Sequence, residues 1–203
     1  PPPPPPASPS PPPVGVVGGG EGTERVAGRE WRSRRPGTRG KAELGLGVGG
    51  TAGQLAGREA EPMAEAARMV ADMGARIIDI NMGCPAKKVT QGASGSALMK
   101  TPDHALRLIE AVVGAVDVPV TLKTRLGWDD DMLNAPGIAR RAEAAGVRMV
   151  TIHGRTRCQF YKGSADWQAI SEVRAAIDVP LLANGDIMDT ITARAALTAS
   201  GAN

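Results

Sequence analysis

The residues best suited to chemistry are few and sit at recurring places. Cys84 lies between Gly83 and Pro85, directly after the aliphatic run Ile77-Ile78-Asp79-Ile80. Flanking Gly and Pro, with no apolar periodicity around it, place this thiol in a loop past a strand end. Thiols are mostly protonated at neutral pH, so such a group suits general-acid work; a buried, inert cysteine is the alternative. Four aliphatic runs in succession end in a polar residue followed by a glycine or a turn. These are Asn81 before Met82-Gly83, Lys123 before Thr124, His153 before Gly154, and Asn184 before Gly185. A lysine closing an apolar strand is unexpected unless its charge is used or reaches solvent. A lone Asn-Gly is often only a turn, and a lone histidine only a satisfied structural residue. Four polar strand ends in a row point to one shared site.

The elements that must carry them alternate. Strand-like runs appear at Ile77–Ile80, Val118–Leu122, Met149–Ile152 and Pro180–Ala183, and the last three start about 31 residues apart. Between them the spacing predicts helices. One starts at Thr101-Pro102 with Leu106, Ile109, Val113 and Val116 on its apolar face. Another starts at Asn134 with Ile138, Ala142 and Ala145; a third starts at Asp166 with Ile170, Val173 and Ile177; a fourth starts at Asp189. A fifth spans 61–74 with Met63, Ala67, Val70 and Met73, stopping at Gly74. This order predicts an α/β fold with parallel strands, apolar on both faces. No G-x-G-x-x-G follows a strand, which counts against a dinucleotide-binding sheet. Polar strand ends converging on one mouth favour a (β/α)₈ TIM barrel. About five βα units are visible where a full barrel takes about 250 residues, so the expectation is an incomplete barrel over 54–203.

Composition divides the chain near Gln54. Residues 1–53 hold 11 of the 17 prolines and 13 of the 26 glycines, a density that cannot bury enough apolar surface to offset ordering entropy. They are expected to be a low-complexity, disordered or non-native N-terminal segment. They also hold 7 Lys+Arg against 4 Asp+Glu, whereas 54–203 holds 17 of each. The basic balance therefore says nothing about nucleic acid binding by the folded part. The opening polyproline, with no apolar h-region, is not expected to act as a secretory leader, and acidic residues among Arg25, Arg29, Arg32, Arg34 and Arg35 argue against a transit segment. No apolar run is long enough to span a membrane. Cys84 and Cys158 are far apart and match no metal spacing, which fits a reducing, cytoplasmic setting. No metal site and no oligomer are indicated.

Asp79-Ile80-Asn81-Met82-Gly83-Cys84-Pro85 resembles the D-I-N-x-G-C-P signature of the tRNA-dihydrouridine synthases. The resemblance continues through Lys87-Lys88-Val89, Gly95-Ser96-Ala97-Leu98, Val120-Thr121-Leu122-Lys123-Thr124-Arg125, Ile152-His153-Gly154-Arg155-Thr156-Arg157 and Ala183-Asn184-Gly185-Asp186-Ile187, and Gln54-Leu55-Ala56-Gly57 resembles the family's Q-x-x-G. It covers 54–203 and is nearest the bacterial B type, also called nitrogen-regulation-related. The family's opening strand, late strands and C-terminal helical domain have no counterpart in these residues. The resemblance implies an FMN-dependent oxidoreductase that uses NADPH to reduce the C5=C6 bond of uridine in tRNA. It implies Cys84 as catalytic acid and Gln54, Lys123, His153, Asn184, Gly185 and Asp186 as flavin contacts. Lys87, Lys88, Arg155 and Arg157, with Lys162, would grip tRNA phosphates. Cys158 is expected to be non-catalytic. The alternatives are another flavin-dependent pyrimidine reductase, or an inactive barrel fragment with residual RNA binding.

Overall fold

The computed structural model describes residues 15–19 and 52–203, with the side chains of 15–19 and of Lys88 outside what is described. The elements run β1 (Gly15–Gly19), β2 (Ala52–Ala56), α1 (Ala60–Asp72), β3 (Ile77–Asn81), α2 (Lys87–Thr90), a 3₁₀ segment (Gly95–Lys100), α3 (Pro102–Val113), β4 (Val120–Arg125), α4 (Ala135–Ala144), β5 (Met149–His153), α5 (Ile170–Arg174), β6 (Leu181–Asn184) and α6 (Thr190–Ser200). Among the described residues no helix is long and apolar enough to cross a membrane. Of the segment 1–53, only β1, Ala52 and Gly53 are described; the rest of the low-complexity expectation lies outside the described residues.

The strands form one sheet in the order β1-β2-β3-β4-β5-β6. β1 pairs antiparallel with β2, and β2 through β6 are parallel. Sequential strand order is barrel order and not the reversal of a doubly wound sheet. The helices form the outer layer, α1 packing on α3, α3 on α4, α4 on α5 and α5 on α6.

The strands are not apolar on both faces. Alternate residues point to opposite sides, and the helix side carries Leu55, Ile78, Ile80, Leu122, Val150, Ile152 and Leu181, each at most 1 % exposed. The other face carries Gln54, Asp79, Asn81, Thr121, Lys123, Arg125, Thr151, His153 and Asn184, related by strand register. Helices cover only one side here, so the inner side can hold polar groups, provided they pair with one another.

The helix signals hold for α1, α3, α4 and α6, with the face of α3 rotated and Met73, expected on the apolar face of α1, 41 % exposed. The helix expected from Asp166 begins only at Ile170 and ends at Arg174, short of Ile177, because Asp166 Oδ1 accepts from the Ala169 amide in a turn. In α3 the buried residues are Ala105, Leu108, Ile109 and Val112, not the stripe through Leu106, Val113 and Val116. Several three- and four-residue stripes are open to an aliphatic-rich helix, and contact with the neighbouring helices α1 and α4 helps select one. Val116 lies beyond the last turn. α4 buries Ala135, Ile138, Ala139 and Ala142, and α1 buries Met63, Ala64, Ala67 and Val70. Asp189 caps α6 through a capping box with Thr192.

Candidate active site at the C-terminal ends of the strands

Three rows of register lead up to the mouth. Gln54, Asp79 and Thr121 are aligned across β2, β3 and β4. Asn81 and Lys123 are aligned across β3 and β4, followed by Thr151 on β5. Arg125, His153 and Asn184 align across β4, β5 and β6. β4 therefore runs two residues past Lys123 and delivers Arg125, not Lys123, to the row of His153 and Asn184.

Cys84 follows β3 in a loop held at both of its backbone polar groups. The Asn81 Oδ1 accepts from the amides of Gly83 (3.0 Å) and Cys84 (3.1 Å). The Cys84 carbonyl accepts from the Ser96 amide (3.2 Å) and hydroxyl (2.8 Å). Gly95, at φ 60°, backs this loop so closely that an added Cβ would lie 2.9 Å from the Cys84 carbonyl oxygen. Only glycine combines that backbone conformation with that approach. Arg125, 2 % exposed, donates from Nε to the Gly83 carbonyl (2.8 Å) and from Nη1 to the carbonyls of Thr156 and Phe160 (3.0 Å each). One guanidinium thus ties the Cys84 loop to the loop after β5. Cys84 is half-buried, whereas Cys158 is exposed.

Lys123 donates from Nζ to Asn184 Oδ1 at 3.1 Å. Burial pushes its ammonium below the usual lysine range, and the Asp79 carboxylate opposes that shift. His153 is pushed down to about 4, first by burial and then by the cations Arg125, Lys123 and Arg155. It is neutral at physiological pH, and its buried Nδ1 has no hydrogen-bond partner. Gly185, at φ 110°, lies against it: an added Cβ would sit 3.1 Å from His153 Cε1 and 2.9 Å from the Ala165 Cβ. Trp167 Nε1 donates to the Gly185 carbonyl (2.8 Å). Asp186 Oδ2 accepts from the Ala165 amide and from Arg155 Nη2, both 2.7 Å. These hydrogen bonds, the amide's first, hold its carboxyl below the usual range.

Of the residues picked out by spacing, Lys123, His153, Asn184 and Gly185 come together, with Cys84 joined to them through Asn81 and Arg125. Gln54 is bound into the inner face, its Nε2 donating to Asp79 Oδ2 (2.6 Å) and its Oε1 accepting from Asn81 Nδ2 (2.9 Å). Arg155 is 5 % exposed and spends its donors on the carbonyls of Lys162 and Gly163 as well as Asp186. It is a strut under the mouth and is not presented to an outside phosphate. Arg157 is half-buried, lies over the Trp128 ring at 4.8 Å with Lys100 4.9 Å from the same ring, and donates from Nη2 to Thr90 Oγ1 at 3.3 Å. Lys87 is exposed at the start of α2. Sequence reasoning passed over Arg125, Asp79, Thr121 and Ser96. The alternation of Lys123 and Arg125 in β4 was a usable signal for the first; nothing local marked Ser96. Among the described residues no group of three or more potential metal ligands occurs.

Fold and site together define a (β/α)-barrel protein whose polar strand ends surround a loop cysteine. Residues 47–203 match the family model for dihydrouridine synthase (Dus), and the chain belongs to that family. It is similar to a protein of Rhodobacter capsulatus named "Probable tRNA-dihydrouridine synthase", 68 % identical over 181 residues that make up 89 % of this chain and 56 % of the relative. A protein of the same name from Rhizobium leguminosarum is 68 % identical over 74 % of this chain and 47 % of its own length. The tRNA-dihydrouridine synthase B of Proteus vulgaris is 51 % identical over 74 % of this chain and 46 % of its own. The chain spans about half the length of these relatives.

Proposed function

We propose that this chain carries the catalytic core of a tRNA-dihydrouridine synthase, in which Cys84 delivers a proton to C5 of a uracil ring. The observation that supports it best is the Cys84 loop itself, tied by Asn81 and Arg125 to the strand ends that bear Lys123, His153 and Asn184. The surrounding residues fit FMN. The buried His153 Nδ1 is without a partner, and Lys123 offers a half-buried cation. When bound, FMN supplies the hydride that C6 of the uracil receives, after NADPH recharges it.

The chain's own residues then have separate tasks. Lys123 presents positive charge to an electron-rich ring and is steered by Asn184. His153, held neutral by burial and its cationic neighbours, offers a ring nitrogen without adding charge. Asp186 and Arg155 brace the Gly185 turn, and Gln54 serves the site from the row below. A uridine inside tRNA must leave its stack to bring C5 to Cys84. The exposed Lys87, with Lys88 beside it in sequence and Arg157 at the same mouth, suits contact with phosphates, which position without specifying sequence.

The test is dihydrouridine formation on unmodified tRNA with FMN and NADPH. Cys84→Ala is expected to slow the reduction of uridine by about 10²- to 10⁴-fold, the usual cost of a positioned acid, while NADPH oxidation by the flavin continues. Cys158→Ala is expected to react as the parent does. Parental turnover by Cys84→Ala refutes the assignment, and turnover of free uracil in place of tRNA refutes the substrate.

A further inference from the structure

The inner face below the mouth holds a chain of hydrogen bonds whose direction is dictated at both ends. At the upper end the backbone N–H groups of Gly83 and Cys84 can only donate, so Asn81 must turn its Oδ1 to them (3.0 and 3.1 Å). That leaves Asn81 Nδ2 to donate to Gln54 Oε1 at 2.9 Å. The Gln54 amide is then oriented with Nε2 downward, donating to Asp79 Oδ2 at 2.6 Å. An ionised carboxylate can only accept, so Asp79 closes the chain. Neither amide can be flipped without setting two donors or two acceptors against each other, so the orientation follows from the chemistry of the end groups.

We propose that Asp79 is a positioning residue for Cys84: as terminal acceptor of the relay through Gln54 and Asn81, it holds the loop that carries the thiol. The proposal rests on the reading of Cys84 as the proton donor. Asp79 touches neither Cys84 nor any residue of the upper row, and it is spent on no helix cap or surface ion pair. Its second oxygen accepts from Thr121 Oγ1 at 2.7 Å, a bond that lies outside the relay and fixes the carboxylate plane. Burial pushes the carboxyl up, while the Thr121 and Gln54 hydrogen bonds and the Lys123 charge counter it. A carboxylate is costly in such a place unless fully paired, and the Gln54 relay and the Thr121 hydroxyl pair one oxygen each.

The relay separates three substitutions that a general loosening of the barrel would not. Asp79→Asn keeps an acceptor, because the amide oxygen can face Gln54 while its NH₂ faces the Thr121 hydroxyl. Asp79→Leu removes the acceptor. Thr121→Val removes a similarly short hydrogen bond (2.7 Å against 2.6 Å) to the same carboxylate but leaves the relay intact. The readout is the alkylation rate of Cys84 by iodoacetamide in a Cys158→Ser background, which requires neither FMN nor tRNA. Asp79→Leu is expected to speed alkylation by at least about fivefold, because the loop opens more often. Asp79→Asn and Thr121→Val should stay within about twofold of the parent on the same argument. Gln54→Met, which cuts the relay in the middle and leaves Asp79 bonded to Thr121, should match Asp79→Leu and carries the test if that variant does not fold. Parental alkylation in either relay-cutting variant overturns the proposal, as does an equal effect of Thr121→Val. Turnover of Cys84→Ala on tRNA is measured separately, so failure of the catalytic reading is distinguishable from failure of the relay.

Discussion

Replacing Arg125 by Met tests the claim that one buried guanidinium staples the mouth together. The residue is 2 % exposed and donates to the carbonyls of Gly83, Thr156 and Phe160. Charge-assisted hydrogen bonds contribute roughly 1.5–3 kcal/mol each. Phe160 is itself 42 % exposed, so water can replace that bond, and two bonds count fully, for a loss of about 3–6 kcal/mol. Burial opposes the charge of Arg125, lowering its pKa, and relief of that cost reduces the net loss to about 2–4 kcal/mol. Met preserves much of the buried stem, so no large cavity adds to it. At about 2–4 °C per kcal/mol for a chain of this size, the melting temperature should fall by about 4–16 °C. The control is Arg141→Met. Arg141 also makes a 2.7 Å ion pair, with Asp103, but the two side chains are 38 % and 81 % exposed, and such pairs contribute at most about 1 kcal/mol. Both proteins are melted by circular dichroism under the same conditions. If the two variants melt together, hydrogen bonding by Arg125 is not what holds the Cys84 loop to the loop after β5.

Two further outcomes follow from the charges at the mouth. Lys123→Met is expected to reduce FMN retention or slow flavin reduction by NADPH, and parental FMN content with parental NADPH oxidation would show that Lys123 does not face the flavin. His153, held at about 4 against an ordinary 6.5, binds fewer protons folded than unfolded between those values. Its contribution to stability is therefore complete above about pH 6.5 and is lost as pH falls toward about 4. After discounting for its half-exposed ring, that loss is about 1–2 kcal/mol. Melts at about pH 7.5 and pH 5 should diverge less in His153→Asn than in the parent; identical divergence would mean that His153 titrates normally in the fold.

The sequence by itself determined most of the elements and one half of the candidate site. Helix positions were legible because Pro102, Asp189 and the three- and four-residue aliphatic steps act within a single turn or two. Cys84, Lys123, His153, Asn184 and Gly185 were legible because each ends or follows a strand, and parallel strands in barrel order point their ends one way. What only the tertiary structure decided depends on neighbours distant in sequence. The buried stripe of α3 was chosen by its packing neighbours, α1 and α4 among them, since Leu106 and Leu108 are equally apolar by type. Inter-strand register, which no local pattern encodes, set Arg125 beside His153 and Asn81 beside Lys123. Arg155 read as a surface cation until its partners, Asp186 and the Lys162 and Gly163 carbonyls, were seen to surround it. Asp79 read as one polar residue in an aliphatic strand. Its role appears only when β2 and β4 bring Gln54 and Thr121 to its two oxygens, because the direction of a hydrogen-bond chain is a property of all its members and of no single residue.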